Sequence, residues 1–211
     1  MRLHDKVGAL LELRPDVAVL PECACPEVLF RRCPEIGASD FAWTGPHPAK
    51  GLAVLAFGPW RVKRTERHDA RAASAALHVS GPAEVRLLAL WALPPWGRPH
   101  RPPEPAARVV ERWRAFLTRT PAIIAGDFHQ TLVGRGARPS PLARRLAALG
   151  FTSACPDATF FPYRRPHRGY HADHVFLDAA ASSALRSVAT GAAHWLSVSD
   201  HLPVAVDLAL E

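Results

Sequence analysis

Ile123-Ile124-Ala125-Gly126-Asp127-Phe128-His129 holds a fold signal and a chemical signal in seven residues. The unbroken apolar run of residues 122 to 125 reads as a buried strand, and an acid and an imidazole follow Gly126 at its tip. Three other segments share the layout of an apolar run with an acid or imidazole at its end: Val19-Leu20-Pro21-Glu22, His171-Ala172-Asp173-His174-Val175-Phe176 and Ser199-Asp200-His201-Leu202-Pro203. Carboxylates gathered at strand ends make a hard-oxygen cradle suited to Mg²⁺ or Mn²⁺, and a nearby His can act as general acid or base. That is the chemistry of metal-assisted phosphate ester cleavage. Taken singly, Glu22 reads as a loop carboxylate, Asp127 as a turn residue and Asp200 as a helix or turn cap.

Working outward, the spacing of Leu3, Val7, Leu10 and Leu11 predicts an amphipathic helix over 3–13 that stops before Pro15. Strands are expected at 16–20, 52–57, 74–79, 85–92, 122–125, 173–178 and 203–209, several of them apolar on both faces. A second helix is expected near 105–118, with Val109, Val110, Trp113, Phe116 and Leu117 on one face. A third opens with Ser140 as N-cap and Pro141 at its first position and closes at Gly150. Proline and arginine mark 94–105 and 162–168 as surface loops. Neither is long enough to divide the chain, there is no internal repeat, and 1–211 is read as one domain.

The composition, 48% hydrophobic and 21% charged over 211 residues, is that of a folding chain and excludes disorder. No apolar run is long enough to cross a bilayer and the N-terminus lacks the layout of a secretion signal, so no membrane association and a cytoplasmic location are expected. Cys23, Cys25, Cys33 and Cys155 are too few for a disulfide scaffold, and Cys23-Ala24-Cys25 lacks zinc-knuckle spacing; they read as free thiols. The net charge of +7 is almost all arginine, since Lys6, Lys50 and Lys63 are the only lysines. A basic surface favours phosphate-rich partners, although a GC-rich coding bias would give the same arginine excess.

The segments PDVAVLPE (15–22), KGLAVLAF (50–57), RLLALWALPP (86–95), IIAGDFH (123–129), ATF (158–160), ADHVFLD (172–178) and SDHLPV (199–204) resemble, in this order, the endonuclease/exonuclease/phosphatase superfamily, which includes deoxyribonuclease I-like and exonuclease III-like enzymes. The resemblance covers essentially the whole chain. It implies a four-layer α/β sandwich, two packed mixed β-sheets flanked by helices. It implies further that Glu22 and Asp200 serve a Mg²⁺ or Mn²⁺ site, that Asp127 positions the attacking water or adds to the metal site, and that His201 is the catalytic histidine oriented by Asp173. The expected function is a metal-dependent phosphodiesterase or nuclease acting on nucleic acid or nucleotides. The alternatives are a degenerate, non-catalytic member that binds an anionic partner, and a phosphomonoesterase of a small molecule.

Three departures from the pattern stand out. His129 takes the place of an Asn after GDF, where an imidazole could donate to a phosphoryl oxygen. Ala92 stands where many members place a His or Tyr. The family's first strand, with its metal-site Asn, has no counterpart before Leu3. A missing interior strand would leave unpaired backbone on both neighbours, so the expectation is that the natural protein starts upstream of Met1, ahead of another segment filling the gap or two chains pairing across it. Arg164, Arg165 and Arg168 are candidate substrate-binding residues beside Asp173. His167, His171 and His174 read as solvated rather than metal-binding. Trp91, Trp113 and Trp195 read as core, and Trp96 as a candidate stacking residue.

Overall fold

The computed structural model describes residues 3–65, 73–92, 105–119, 121–132, 138–155 and 157–210. Strands β1 (Val17–Cys23), β2 (Asp40–His47) and β3 (Lys50–Ala56) form an antiparallel sheet in the order β1-β3-β2. A six-stranded sheet contains β4 (Arg61–Arg64), β5 (Ala73–Ser80), β6 (Glu84–Trp91), β7 (Ala122–Asp127), β8 (Thr152–Ser153) and β9 (Asp173–Leu177), in the order β4-β5-β6-β7-β9-β8. Among its described pairs only β6 and β7 run parallel, and the crossover that parallel pairing requires carries helices α3 (Ala106–Arg112) and α4 (Arg114–Leu117). β10 (Leu185–Thr190) and β11 (Val204–Leu208) form a separate antiparallel pair.

The layers follow from the strands that are apolar on both faces. Leu52, Val54 and Ala56 of β3 pack with Leu77, Val79, Leu87 and Ala89 of the large sheet, while Ala53 and Leu55 on the other face of β3 meet Val7, Leu29 and Cys33. The last three come from α1 (Val7–Glu12), α2 (Pro26–Arg32) and the residue after it. On the far side of the large sheet, Leu88, Leu90, Ile124 and Phe176 pack against Val109, Val110 and Trp113 and against Leu142 and Leu146 of α5 (Pro141–Ala148). The order is helix, sheet, sheet, helix: the four-layer sandwich. Each fully buried leucine contributes about 1.5–3 kcal/mol. Helices as short as these are marginal alone, so sheet packing holds the strand tips in place.

The helix expected over 3–13 is a 3-10 turn, Leu3–Asp5, followed by α1, with Lys6 at the joint. The helix expected over 105–118 breaks at Trp113, whose buried ring anchors the joint between α3 and α4. The third helix starts as read: Ser140 Oγ accepts from Ala143 N, Pro141 follows, and Gly150 takes φ +78 beyond the end. Unforeseen were α2, β2, β4, β8, β10 and α6 (Ala179–Ser183). The four cysteines are free and buried, and Trp91, Trp113 and Trp195 are buried as expected. Trp96 and nearly all of the 94–105 loop lie outside the described residues. Among the described residues β1 pairs only with β3 and β11 only with β10, leaving each an edge without a strand partner. No described helix is long and apolar enough to cross a membrane.

Candidate active site

The site grows from the pairing of β7 and β9. Their antiparallel register sets Asp127 directly opposite Asp173. Two carboxylates facing each other across a ladder repel, so such a pair needs compensation. Each carboxylate has an imidazole: His129 Nε2 lies 2.9 Å from Asp127 Oδ2, and His201 Nδ1 lies 2.7 Å from Asp173 Oδ2.

Asp127 is almost fully buried, and its Oδ1 also accepts from the backbone N–H of His129 at 2.9 Å. That turn puts His129 at φ +49, a left-handed conformation that Asn, Asp and His tolerate better than most residues. Both His and the Asn of the sequence pattern are compatible with that conformation. The turn also aims the ring at Asp127, so in this structure the imidazole is engaged by a carboxylate rather than left free as a donor. Ala92 N donates to Asp127 O at 2.8 Å, and its methyl side chain offers the site no polar group.

Asp173 is fixed from behind by the buried Thr159, whose Oγ1 accepts from the backbone N–H groups of Ala172 and Asp173 at 3.2 and 2.9 Å. His201 is fixed through its backbone N–H, which donates to Ser199 Oγ at 3.1 Å, and through its ring, which lies 4.6 Å from that of Phe160. Burial disfavours the imidazolium. It is outweighed by the Asp173 hydrogen bond and by the charges of Asp173, Asp127 and Asp200, so the His201 pKa stands above its ordinary 6.5.

A histidine whose folded pKa exceeds its unfolded value contributes stability that is full below the unfolded value and lost as pH rises through the folded one. The urea midpoints of wild type and Asp173→Asn should therefore differ most at about pH 5 to 6.5 and draw together at higher pH. A gap that failed to narrow as pH rises above 6.5 would remove this assignment.

Glu22 sits in β1 where the register with β3 shifts between Leu20 and Cys23. This irregularity puts Glu22 at φ +58, the kind of local strain that re-aims a side chain at a functional site. Its Oε1 meets Lys50 Nζ at 2.8 Å, and the same ammonium lies 5.7 Å from the centroid of the Trp91 ring at the tip of β6. Asp200 is half-buried, and its backbone carbonyl accepts from Phe161 N at 2.7 Å. Arg164 and Tyr163 both have positive φ; Arg164 donates to Ser197 O at 2.9 Å, which ties its loop to the Ser199-Asp200-His201 segment. Arg165 lies over the exposed Tyr163 ring at 5.9 Å, and Arg168 is exposed. His174, expected to be solvated, is buried, packed against Phe128 and Phe176, with Nε2 3.0 Å from Gln130 O. Burial lowers its pKa. Thr159, Ser199, Lys6 and Lys50 were not singled out as site residues from sequence; the ATF, SDH and KGLAVLAF segments pointed towards Thr159, Ser199 and Lys50, and nothing pointed towards Lys6.

Donor atoms of Asp127, Asp173 and His201 all lie within 4.8 Å of one another. Two of those three groups are already joined in the His201–Asp173 hydrogen bond, so an ion held by all three would have to break it. Glu22 is not in that group and is itself joined to Lys50, and Asp200 also lies outside it, so the donors that come together are the two carboxylates and the imidazole, a set that could hold a divalent ion.

No protein-family model matches the sequence, and comparison with curated protein sequences gives no match. Solved structures do match. The endonuclease domain of TRAS1, a telomere-specific non-LTR retrotransposon, has a TM-score of 0.70 at 15% identity, over 100% of this chain and 96% of that one. An AP endonuclease from Archaeoglobus fulgidus gives 0.71 at 16% identity, over 99% and 94%. The 3'-5' exonuclease NExo from Neisseria meningitidis gives 0.64 at 19%, over 98% and 96%. The chain has the endonuclease/exonuclease/phosphatase fold, also called deoxyribonuclease I-like.

Proposed function

We propose that this protein is a divalent-metal-dependent phosphoester hydrolase, specifically a phosphodiesterase or nuclease acting on nucleic acid or nucleotides. The observation that carries the reading is the 2.7 Å His201–Asp173 pair, set opposite the buried Asp127 at adjoining strand tips. The endonucleases and the exonuclease that share the fold support phosphoester hydrolysis as the class.

Asp173 selects the His201 tautomer with its proton on Nδ1, leaving Nε2 for water or a phosphoryl oxygen. When His201 is protonated, the same carboxylate stabilises the imidazolium. Asp127, tied to His129, orients the water. The water oxygen bonds to phosphorus as the ester P–O bond breaks; His201 Nε2 takes the proton that the water gives up, and the departing oxygen takes one from solvent. As the sequence resemblance implies, Glu22 and Asp200 would hold the divalent ion, which supplies Lewis acidity to phosphoryl oxygens when bound. Arg164, Arg165 and Arg168 supply positive charge for neighbouring phosphates, in keeping with the net charge of +7. A cytoplasmic setting suits four thiols that remain free.

The purified protein should cleave a generic phosphodiester with Mg²⁺ or Mn²⁺ and lose that activity in excess EDTA. Salt-sensitive DNA binding without turnover under either condition would replace this reading with that of a non-catalytic binder.

A further inference from the structure

Lysine is scarce in this chain, yet two of its three lysines stand at the carboxylates just described. Lys50 is committed to Glu22. Lys6 is placed differently. It occupies the joint between the Leu3–Asp5 turn and α1, at φ −128 and ψ 4, with its N–H donating to Leu3 O at 2.8 Å and its carbonyl accepting from Leu10 N at 3.0 Å. Leu3 packs against the cluster around Val7 and Leu29, and Ala9 packs against Trp195, Leu196 and Leu202. The joint is therefore gripped on two sides.

From there Lys6 Nζ donates to Ser199 Oγ at 3.1 Å, the same oxygen that accepts from the His201 backbone. An ammonium has three N–H donors, so two remain without a hydrogen-bond partner among the described residues. The carboxylates whose fields reach it are Asp200, Glu22 and Asp173, and Arg164 adds a like charge. None of the three carboxylates closes on it as Glu22 closes on Lys50. A partly buried cation beside a catalytic pair, with donors to spare, calls for an oxygen ligand that arrives from outside.

We propose that Lys6 binds the reacting phosphate group, donating its remaining N–H groups to a phosphoryl oxygen of a nucleic-acid strand at the His201–Asp173 site. The inference rests on the reading of that site as one for phosphoester hydrolysis and adds a substrate-binding residue to it. Its location carries a second consequence. A fixed positive charge among Glu22, Asp173 and Asp200 repels a divalent ion, so removing it must act on metal and phosphate in opposite directions.

The experiment compares wild type, Lys6→Met and Lys6→Arg in two assays. A labelled single-stranded oligodeoxynucleotide is titrated in EDTA by fluorescence anisotropy across a series of KCl concentrations, and Mn²⁺ is titrated without DNA by electron paramagnetic resonance. Lys6→Met is expected to weaken DNA binding about tenfold at low salt and to flatten the log–log salt dependence by about 0.7, the share of one phosphate contact. It is expected to tighten Mn²⁺ binding several-fold, while Lys6→Arg keeps the wild-type salt slope. An unchanged slope and affinity in Lys6→Met, no DNA binding by the wild type, or a loss of both ligands together would each overturn the proposal; the last is what damage to the fold produces. Because the DNA assay needs neither metal nor turnover, it fails or succeeds separately from EDTA-sensitive cleavage, which tests the parent reading.

Discussion

His201→Ala is expected to lower kcat by about 10²- to 10⁴-fold, the usual cost of losing a general acid or base, while lowering the urea midpoint only modestly and leaving the fold intact. The two effects separate because the backbone of residue 201 has its own anchors. Its N–H donates to Ser199 Oγ, and it bridges to Phe160 by backbone pairing. Alanine keeps both. What it loses is the ring, 4.6 Å from that of Phe160, a contact of about 0.5–1.5 kcal/mol, and the hydrogen bond to Asp173. Asp173→Ala should lower the rate by less, since Asp173 orients the imidazole without standing in for it. Wild-type turnover by purified His201→Ala would sink the assignment of roles, whatever the assay says about metal.

The strand tips were legible because each combined an apolar run with an acid or imidazole at its end. The strands expected at 122–125 and 173–178 form as Ala122–Asp127 and Asp173–Leu177, and their antiparallel register brings Asp127 and Asp173 together. The missed strands lack that contrast. β2 contains Gly45-Pro46, which local chemistry reads as a turn; it is held as a strand by pairing with β3, where a Cβ on Gly45 would lie 2.6 Å from Gly51 Cα. β10 is mostly exposed, so no core demanded an apolar pattern of it. α2 did carry a usable signal: Pro26 at the first position, Glu27 in the first turn, and Arg31 and Arg32 in the last.

The site divides the same way. Asp173 and His201, 28 residues apart, were paired through the order of motifs. Lys6 and Ser199 are 193 residues apart, and nothing local in either segment announces their contact. Nor could the sequence show that His129 turns onto Asp127, because that follows from a left-handed backbone at the tip of β7. Residue type and motif order expose chemistry carried by strand tips. Groups that reach the site from the opposite end of the chain become visible only when the layers close.

The same strand tip yields the largest expected loss of stability. Gly126 has φ +144, a region essentially reserved for glycine, and an ideal Cβ there would stand 1.8 Å from Leu90 O and 2.8 Å from Leu90 C. Neither atom belongs to a flexible side chain. Leu90 is the register partner of Gly126 in the parallel pairing of β6 with β7, so relieving the clash means parting the ladder just before Asp127 and the buried Phe128. Gly126→Ala is therefore expected to cost about 3 kcal/mol or more, from conformational strain and overpacking together, against a typical total of about 5–15 kcal/mol. Two other glycines calibrate the result. Gly58 has φ +56 with nothing within 4 Å of a Cβ, so Gly58→Ala should cost only the left-handed strain, about 1–2 kcal/mol. Gly8, in α1 and equally open, should gain up to about 1 kcal/mol on replacement by Ala. Urea unfolding of the three variants should rank them Gly8→Ala, Gly58→Ala, Gly126→Ala from most to least stable. A Gly126→Ala protein with a midpoint within error of wild type would show that β6 and β7 do not approach as closely as the Asp127 site requires.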